Sequence, residues 1–179
     1  MKGIVFNLLE EAVSKDFGEA TWDRLLDDAN LDGAYTSLGS YDDAEVFRLV
    51  EVASAALKIP PQDVLRWFGR RAMPLLVARY PAFFSSHTGA RSFLLTLNSL
   101  IHPEVRKLYP GATPPVFDFD TTDSETLVIG YNSARKLCAL AEGFMQGAAE
   151  HYGQQPSIRE SECMHEGAGK CTFHVRFQA

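Results

Sequence analysis

His102 stands in a stretch that reads as an amphipathic helix, GARSFLLTLNSLIHPEVRKLYP from Gly89 to Pro110. Leu94, Leu97, Ile101, Val105 and Leu108 recur at intervals of three and four, one face of a 3.6-residue helix. The imidazole lies beside that apolar stripe and directly before Pro103, which removes a backbone donor and disturbs the local turn. Two roles fit such a residue. One is a core histidine satisfied by a carbonyl; the other is an axial ligand presented to a haem iron. Further along, Tyr131, Ser133 and Arg135 follow one another at intervals of two. Extended backbone places such residues on one side. Two hydroxyls and a guanidinium suit a pair of carboxylates, because arginine engages a carboxylate through two parallel bonds. Alone, Y-x-S-x-R also describes ordinary polar residues at a strand exit; paired with a helix-borne histidine it is far more specific.

The three cysteines are Cys138, Cys163 and Cys171. The last two flank the turn HEGAGK, and thiolates converging on one hairpin resemble part of a tetrahedral zinc site. Reduced, buried cysteines acting as small hydrophobes and accessible redox thiols remain the alternatives. An odd cysteine count argues against a disulfide framework. The start MKGIVFNLLEEAV runs at once into Glu10 and Glu11, a helix opening and not a secretory signal. These features point to the cytoplasm. A net charge of −6 argues against a nucleic-acid partner, and no apolar run is long enough to span a membrane.

These groups need elements to hold them. Ile4, Val5, Leu8, Leu9 and Val13 predict a first helix over 2–15, ended by Phe17-Gly18. A second runs from Thr21 to about Asn30. Asp42 or Asp43 caps a third over about 43–57. Pro60-Pro61 opens a fourth, which ends near Tyr80-Pro81. After the central helix, Gly111, Pro114 and Pro115 mark a subdomain boundary. Val116–Phe119 and Leu127–Ile129 read as strands joined by the turn DTTDSE. A helix over about 134–152 is rich in Ala139, Ala141, Gly143, Gly147, Ala148 and Ala149, so its backbone can approach a neighbouring helix or a flat ligand. Ser157–Cys163 and Cys171–Phe177 complete the strands, with Thr172, His174 and Arg176 alternating against Val175 and Phe177. The fold class is α+β: one domain over 1–179, with a helical subdomain over roughly 1–60 and a part over 61–179 that carries a four-stranded antiparallel sheet and an inserted helix.

With MKGIVFNLL at the start, IHPEVRKLYPG around the histidine, Pro115, YNSAR and the cysteine-bearing C-terminus, the whole chain resembles the H-NOX family, the haem nitric oxide/oxygen-binding domains related to the haem domain of soluble guanylate cyclase. The resemblance implies haem b as cofactor and His102 as the proximal iron ligand. It implies that Tyr131, Ser133 and Arg135 clamp the propionates and that Pro115 presses on the porphyrin. It implies a distal wall of Val5, Leu9, Pro74, Leu140 and Phe144. In the dioxygen-binding members a tyrosine lies on the helix after the clamp; here that position is Leu140, and no tyrosine occurs between Tyr131 and Tyr152. The expectation is a five-coordinate ferrous haem that takes nitric oxide and carbon monoxide but holds no stable dioxygen. Release of His102 from the iron would then be the switch.

The resemblance also implies a zinc site in some bacterial members, with three cysteines and a histidine. Here the expected histidine is Glu160. Glu160 itself, His165, and more distantly His151 and His174, are the candidates to complete the set with Cys138, Cys163 and Cys171. The expected partner is a signalling protein such as a histidine kinase or a diguanylate cyclase/phosphodiesterase. No catalytic residue is expected: a haem enzyme of the peroxidase kind wants a distal His or Arg, and none lies near Leu140 or Val5. The competing reading is a zinc or thiol redox sensor built on the C-terminal cysteines.

Overall fold

The computed structural model describes residues 1–178. Among them are seven α-helices and one four-stranded sheet. The helices are α1 (Gly3–Phe17), α2 (Glu19–Ala29), α3 (Asp43–Leu57), α4 (Pro61–Arg79), α5 (Ala90–Leu94), α6 (His102–Leu108) and α7 (Cys138–His151). The strands are β1 (Val116–Asp120), β2 (Thr126–Asn132), β3 (Gln155–Glu162) and β4 (Cys171–Gln178), in the antiparallel order β1-β2-β4-β3. The α+β class and the antiparallel sheet follow the expectation. Asp42 caps α3, its carboxylate accepting the Ala44 N–H at 2.9 Å. Pro61 opens α4, where its missing N–H leaves no bond unmade.

Two apolar cores lie side by side. The first joins α1–α4: Phe6, Leu9, Val46, Val64, Phe68 and Ala72 are all buried there. The second lies between the sheet and α7: Leu127, Ile129, Phe173 and Val175 meet Met145, Ala148 and Ala149. Burying each large side chain contributes about 1.5–3 kcal/mol, so tertiary packing and not helix propensity holds these elements. Helices α4 and α7 belong to both cores. Leu140 faces the first and Ala141 the second; Leu75 faces the first and Met73 the second. This pair of helices forms a wall common to both cores.

That wall decides what the small residues of α7 are for. They admit a helix. A Cβ on Gly143 would lie 2.1 Å from the Arg66 carbonyl oxygen, and one on Gly69 would lie 2.3 Å from the Leu140 carbonyl oxygen. A Cβ on Gly147 would meet Met73 at 2.6 Å and the Arg70 carbonyl at 2.8 Å. The Arg70 carbonyl is the one that Pro74, lacking an N–H, leaves without its helical donor. Helix α7 starts at Cys138 and not near 134, because Ser133–Lys136 close a turn: the Lys136 N–H donates to the Ser133 carbonyl at 3.0 Å and Lys136 adopts φ 50°.

The central stretch is not one helix. It is α5, a π-helical turn over Leu97–Ile101, then α6. Of the expected stripe, Leu94 and Ile101 are buried, Leu97 and Val105 are half-buried, and Leu108 is 44% exposed. Substituting Gly143→Ala is expected to destabilise the fold by about 1–3 kcal/mol or more, as overpacking against backbone does. Chemical denaturation measures it, and an unchanged midpoint would mean that α4 and α7 do not cross this closely.

Candidate functional site

Pro103 explains the break before the histidine. A proline ring in an α-helix clashes with the carbonyl four residues back, here that of Ser99. Widening the preceding turn removes the clash: Ile101 N–H donates to Thr96 O at 3.1 Å and His102 N–H to Leu97 O, both across five residues. The histidine thus opens α6 with Pro103 in its first turn, where a missing N–H is tolerated.

The His102 side chain points inward, with the residue only 9% exposed. Its ring stacks on Phe117 of β1 at a centroid distance of 5.8 Å and an interplanar angle of 29°. Nδ1 is buried and has no hydrogen-bond partner. Burial pushes the ring's basicity down to about 4, the Arg106 cation acts in the same direction, and the Pro115 backbone opposes them. The imidazole is therefore neutral at pH 7, the form that ligates a metal. A buried ring nitrogen left unpaired is rare. The ring meets the Pro115 backbone, and its unpaired Nδ1 leaves a nitrogen free for a cofactor.

The YxSxR residues do not form a simple extended row. Tyr131 lies in β2 and is 2% exposed; its hydroxyl accepts the Leu137 N–H at 3.0 Å and keeps its own proton to donate. The strand ends at Asn132, and Ser133 and Arg135 belong to the turn that follows. Ser133 Oγ accepts the Arg135 N–H at 3.3 Å. The Arg135 guanidinium reaches across the molecule: Nε donates to Asp43 at 2.8 Å, and one terminal nitrogen donates to both the carbonyl and hydroxyl of Thr113 at 2.9 Å. Asp43 also accepts the Met1 amino group at 2.5 Å. Burial raises the Asp43 carboxyl, but these two cations more than offset it and hold it below the usual carboxylate range. The Tyr131 hydroxyl also meets the Ser133 side chain, and Pro115 is half-buried just before β1.

Val5, Leu9, Leu140 and Phe144 share the first core and carry no polar group. Pro74 stands apart from them in burial, exposed between buried Met73 and Leu75. At the start of α7, Cys138, Cys163, Cys171 and Glu160 gather with their ligand atoms all within 4.8 Å of one another. The sulfur separations from Cys163 are 4.0 Å to Cys138 and 3.9 Å to Cys171. Burial pushes the Cys138 thiol up to about 11 and raises Cys171 further, so without a cation these thiols stay protonated. His165 is not in this set: its Nε2 lies 2.8 Å from the Lys136 carbonyl, which the Cys138 sulfur also approaches at 3.8 Å. His174 pairs with Ser161, and His151 packs on Phe84 and Tyr152.

Sequence patterns alone did not mark Asn98, Phe117, Thr113 or the Asp43–Arg135 pair as part of this region. Asp43 was visible only as a helix cap, and Phe117 only as an alternating strand residue. The low basicity of His102 sets the pH dependence of the apo-protein. The unfolded ring takes a proton near pH 6.5 and the folded ring only near 4. Stability is therefore full above 6.5 and lost as the pH falls from there through 4. Denaturation of the apo-protein at pH 7 and pH 5 should show this loss, and His102→Leu should reduce it; an equal loss in both proteins would place the titration elsewhere.

The comparisons with known proteins follow this geometry. A family described as Haem-NO-binding matches residues 2–160. The crystal structure of an H-NOX protein from Shewanella oneidensis in the Fe(II)NO state superposes with a TM-score of 0.93, at 34% identity over 100% of both chains. An H-NOX from Shewanella woodyi in the Fe(II)CO state gives 0.83 at 31% identity, over 100% of this chain and 95% of that one. An unliganded Fe(II) H-NOX protein from K. algicida gives 0.88 at 26% identity, over 100% and 97%. The chain belongs to the haem-NO-binding, or H-NOX, family.

Proposed function

We propose that this chain is a haem-based gas sensor that takes nitric oxide and carbon monoxide, excludes dioxygen and regulates a signalling partner. The observation that carries the reading is the neutral, buried His102 imidazole with an unpaired Nδ1. Haem, when bound, would supply a ferrous iron able to take a diatomic gas. His102 holds the iron. Tyr131, Ser133 and Arg135 hold the propionates, the guanidinium exchanging or sharing its present carboxylate partner, Asp43, for a ligand of the same chemistry. Pro115 contacts the porphyrin. Val5, Leu9, Leu140 and Phe144, with Pro74, line the gas side. Bound dioxygen is polarised and needs a hydrogen-bond donor, which none of these supplies; nitric oxide needs none. The ligation states of the Shewanella relatives support the two gases. A histidine kinase or a diguanylate cyclase/phosphodiesterase is the partner class that the family suggests. No helix among the described residues is long and apolar enough to cross a membrane.

The cysteine cluster favours a zinc ion beside the haem. Zinc–sulfur bonds of about 2.3 Å at a tetrahedral angle set sulfurs ~3.8 Å apart, which the two separations from Cys163 match. Glu160 supplies the fourth ligand. Metal analysis is expected to find about one equivalent of zinc in the purified protein and less than about half in Cys163→Ala; the same low content in both would leave three reduced thiols.

The absorption spectrum tests the main reading. The ferrous protein should show a five-coordinate Soret band that shifts with nitric oxide and with carbon monoxide and stays unliganded in air. His102→Gly should lose the band and regain it with added imidazole. A stable oxy spectrum would overturn the exclusion of dioxygen, and a colourless wild-type protein would overturn the whole assignment.

A further inference from the structure

The π-helical turn before His102 carries a contact that packing does not require. Asn98 lies in that turn, and its side-chain amide pairs with the backbone of Phe117: Nδ2 donates to the carbonyl at 2.5 Å and Oδ1 accepts the N–H at 3.3 Å. Strand β1 is an outer strand of the sheet, paired on one side only, with β2. The Phe117 N–H and C=O face its open edge, and the amide satisfies both, as one residue of a further strand would. The neighbouring peptide is anchored too. Leu97, directly before Asn98, gives its carbonyl to the His102 N–H. Phe117 in turn presents its ring to His102 at 5.8 Å and to Tyr131 at 5.7 Å. The 97–98 segment therefore ties the histidine's backbone to the strand residue on which the histidine's ring rests. Asn98 is itself exposed and adds nothing to either core.

We propose that Asn98 is a positioning residue: its paired hydrogen bonds to the Phe117 backbone fix the π turn against β1 and so set where His102 stands. The proposal rests on His102 being the haem ligand. Displacing the turn moves the imidazole relative to Phe117 and Pro115, and motion of the histidine pulls on β1 through the same amide. An asparagine that merely shielded a strand edge would affect stability and leave the histidine where it is.

The test uses Asn98→Ala, Asn98→Asp, which keeps the acceptor but sets a carboxylate oxygen against the Phe117 carbonyl, and Ser99→Ala as an exposed control on the same turn. In the apo-protein, amide hydrogen exchange is read at Ile101 and His102, whose own acceptors none of these substitutions removes. Asn98→Ala and Asn98→Asp should each speed exchange at both by about fivefold or more, the factor that one hydrogen bond carries, and Ser99→Ala should have no effect. In the haem-loaded ferrous protein, the iron–histidine stretching band should shift to lower frequency in both Asn98 variants and stay in place in Ser99→Ala. Unchanged exchange at Ile101 and His102 together with an unchanged stretching band overturns the proposal, even if the melting temperature falls. A wild-type protein without a Soret band would sink the reading of His102 as ligand, while the exchange measurement alone would still decide whether Asn98 holds the turn.

Discussion

Everything else in this molecule is arranged about the close crossing of α4 and α7. Glycines on both helices let backbone meet backbone: Gly69 lies against the Leu140 carbonyl and Gly143 against that of Arg66. Side chains at this crossing would push the helices apart, and the two cores that share them would both lose their wall. The arrangement also positions function. One helix, α7, starts at the cysteine cluster with Cys138, passes Leu140 on the face of the first core and carries Met145 into the second.

Against that frame the histidine segment is a place of local conflict. A proline directly after His102 cannot continue an ordinary helix, and the chain answers with a π turn. Such turns are often found at functional sites. The imidazole that results is buried, neutral and only partly satisfied. Ordinary core positions avoid this combination, and metal ligands need it. Arg135 shows the same economy. It is held by Asp43 and Thr113 through Nε and one terminal nitrogen, and a carboxylate is the partner a guanidinium prefers.

The helices α1 to α4 and the four strands were readable from periodicity because each buries one face. Asp42, Pro61 and the DTTDSE turn marked their ends through local chemistry that tertiary contacts did not overrule. The central stretch misled, because its spacing of three and four continues through Pro103 while the backbone does not. Leu108 belongs to the stripe on paper and to the surface in space. The row at 131, 133 and 135 was legible as a set of types and not as a geometry, since a turn begins where the strand was extended in thought. Arg135 finds its partner 92 positions away, and no local pattern reports such a contact. The cysteines were visible as a cluster, but only the fold brings Glu160 to them and sends His165 to the Lys136 carbonyl.

Strand β1 ends the sheet, and its outward backbone at Phe117 is covered by an amide from a turn instead of by a neighbouring strand. Uncovered strand edges recruit extended segments from other chains. A cover that is one side chain on an irregular turn lifts at far lower cost than a whole strand would. Any event that withdraws the turn therefore does more than relocate an imidazole: it leaves the Phe117 N–H and C=O at the sheet's edge in need of another partner.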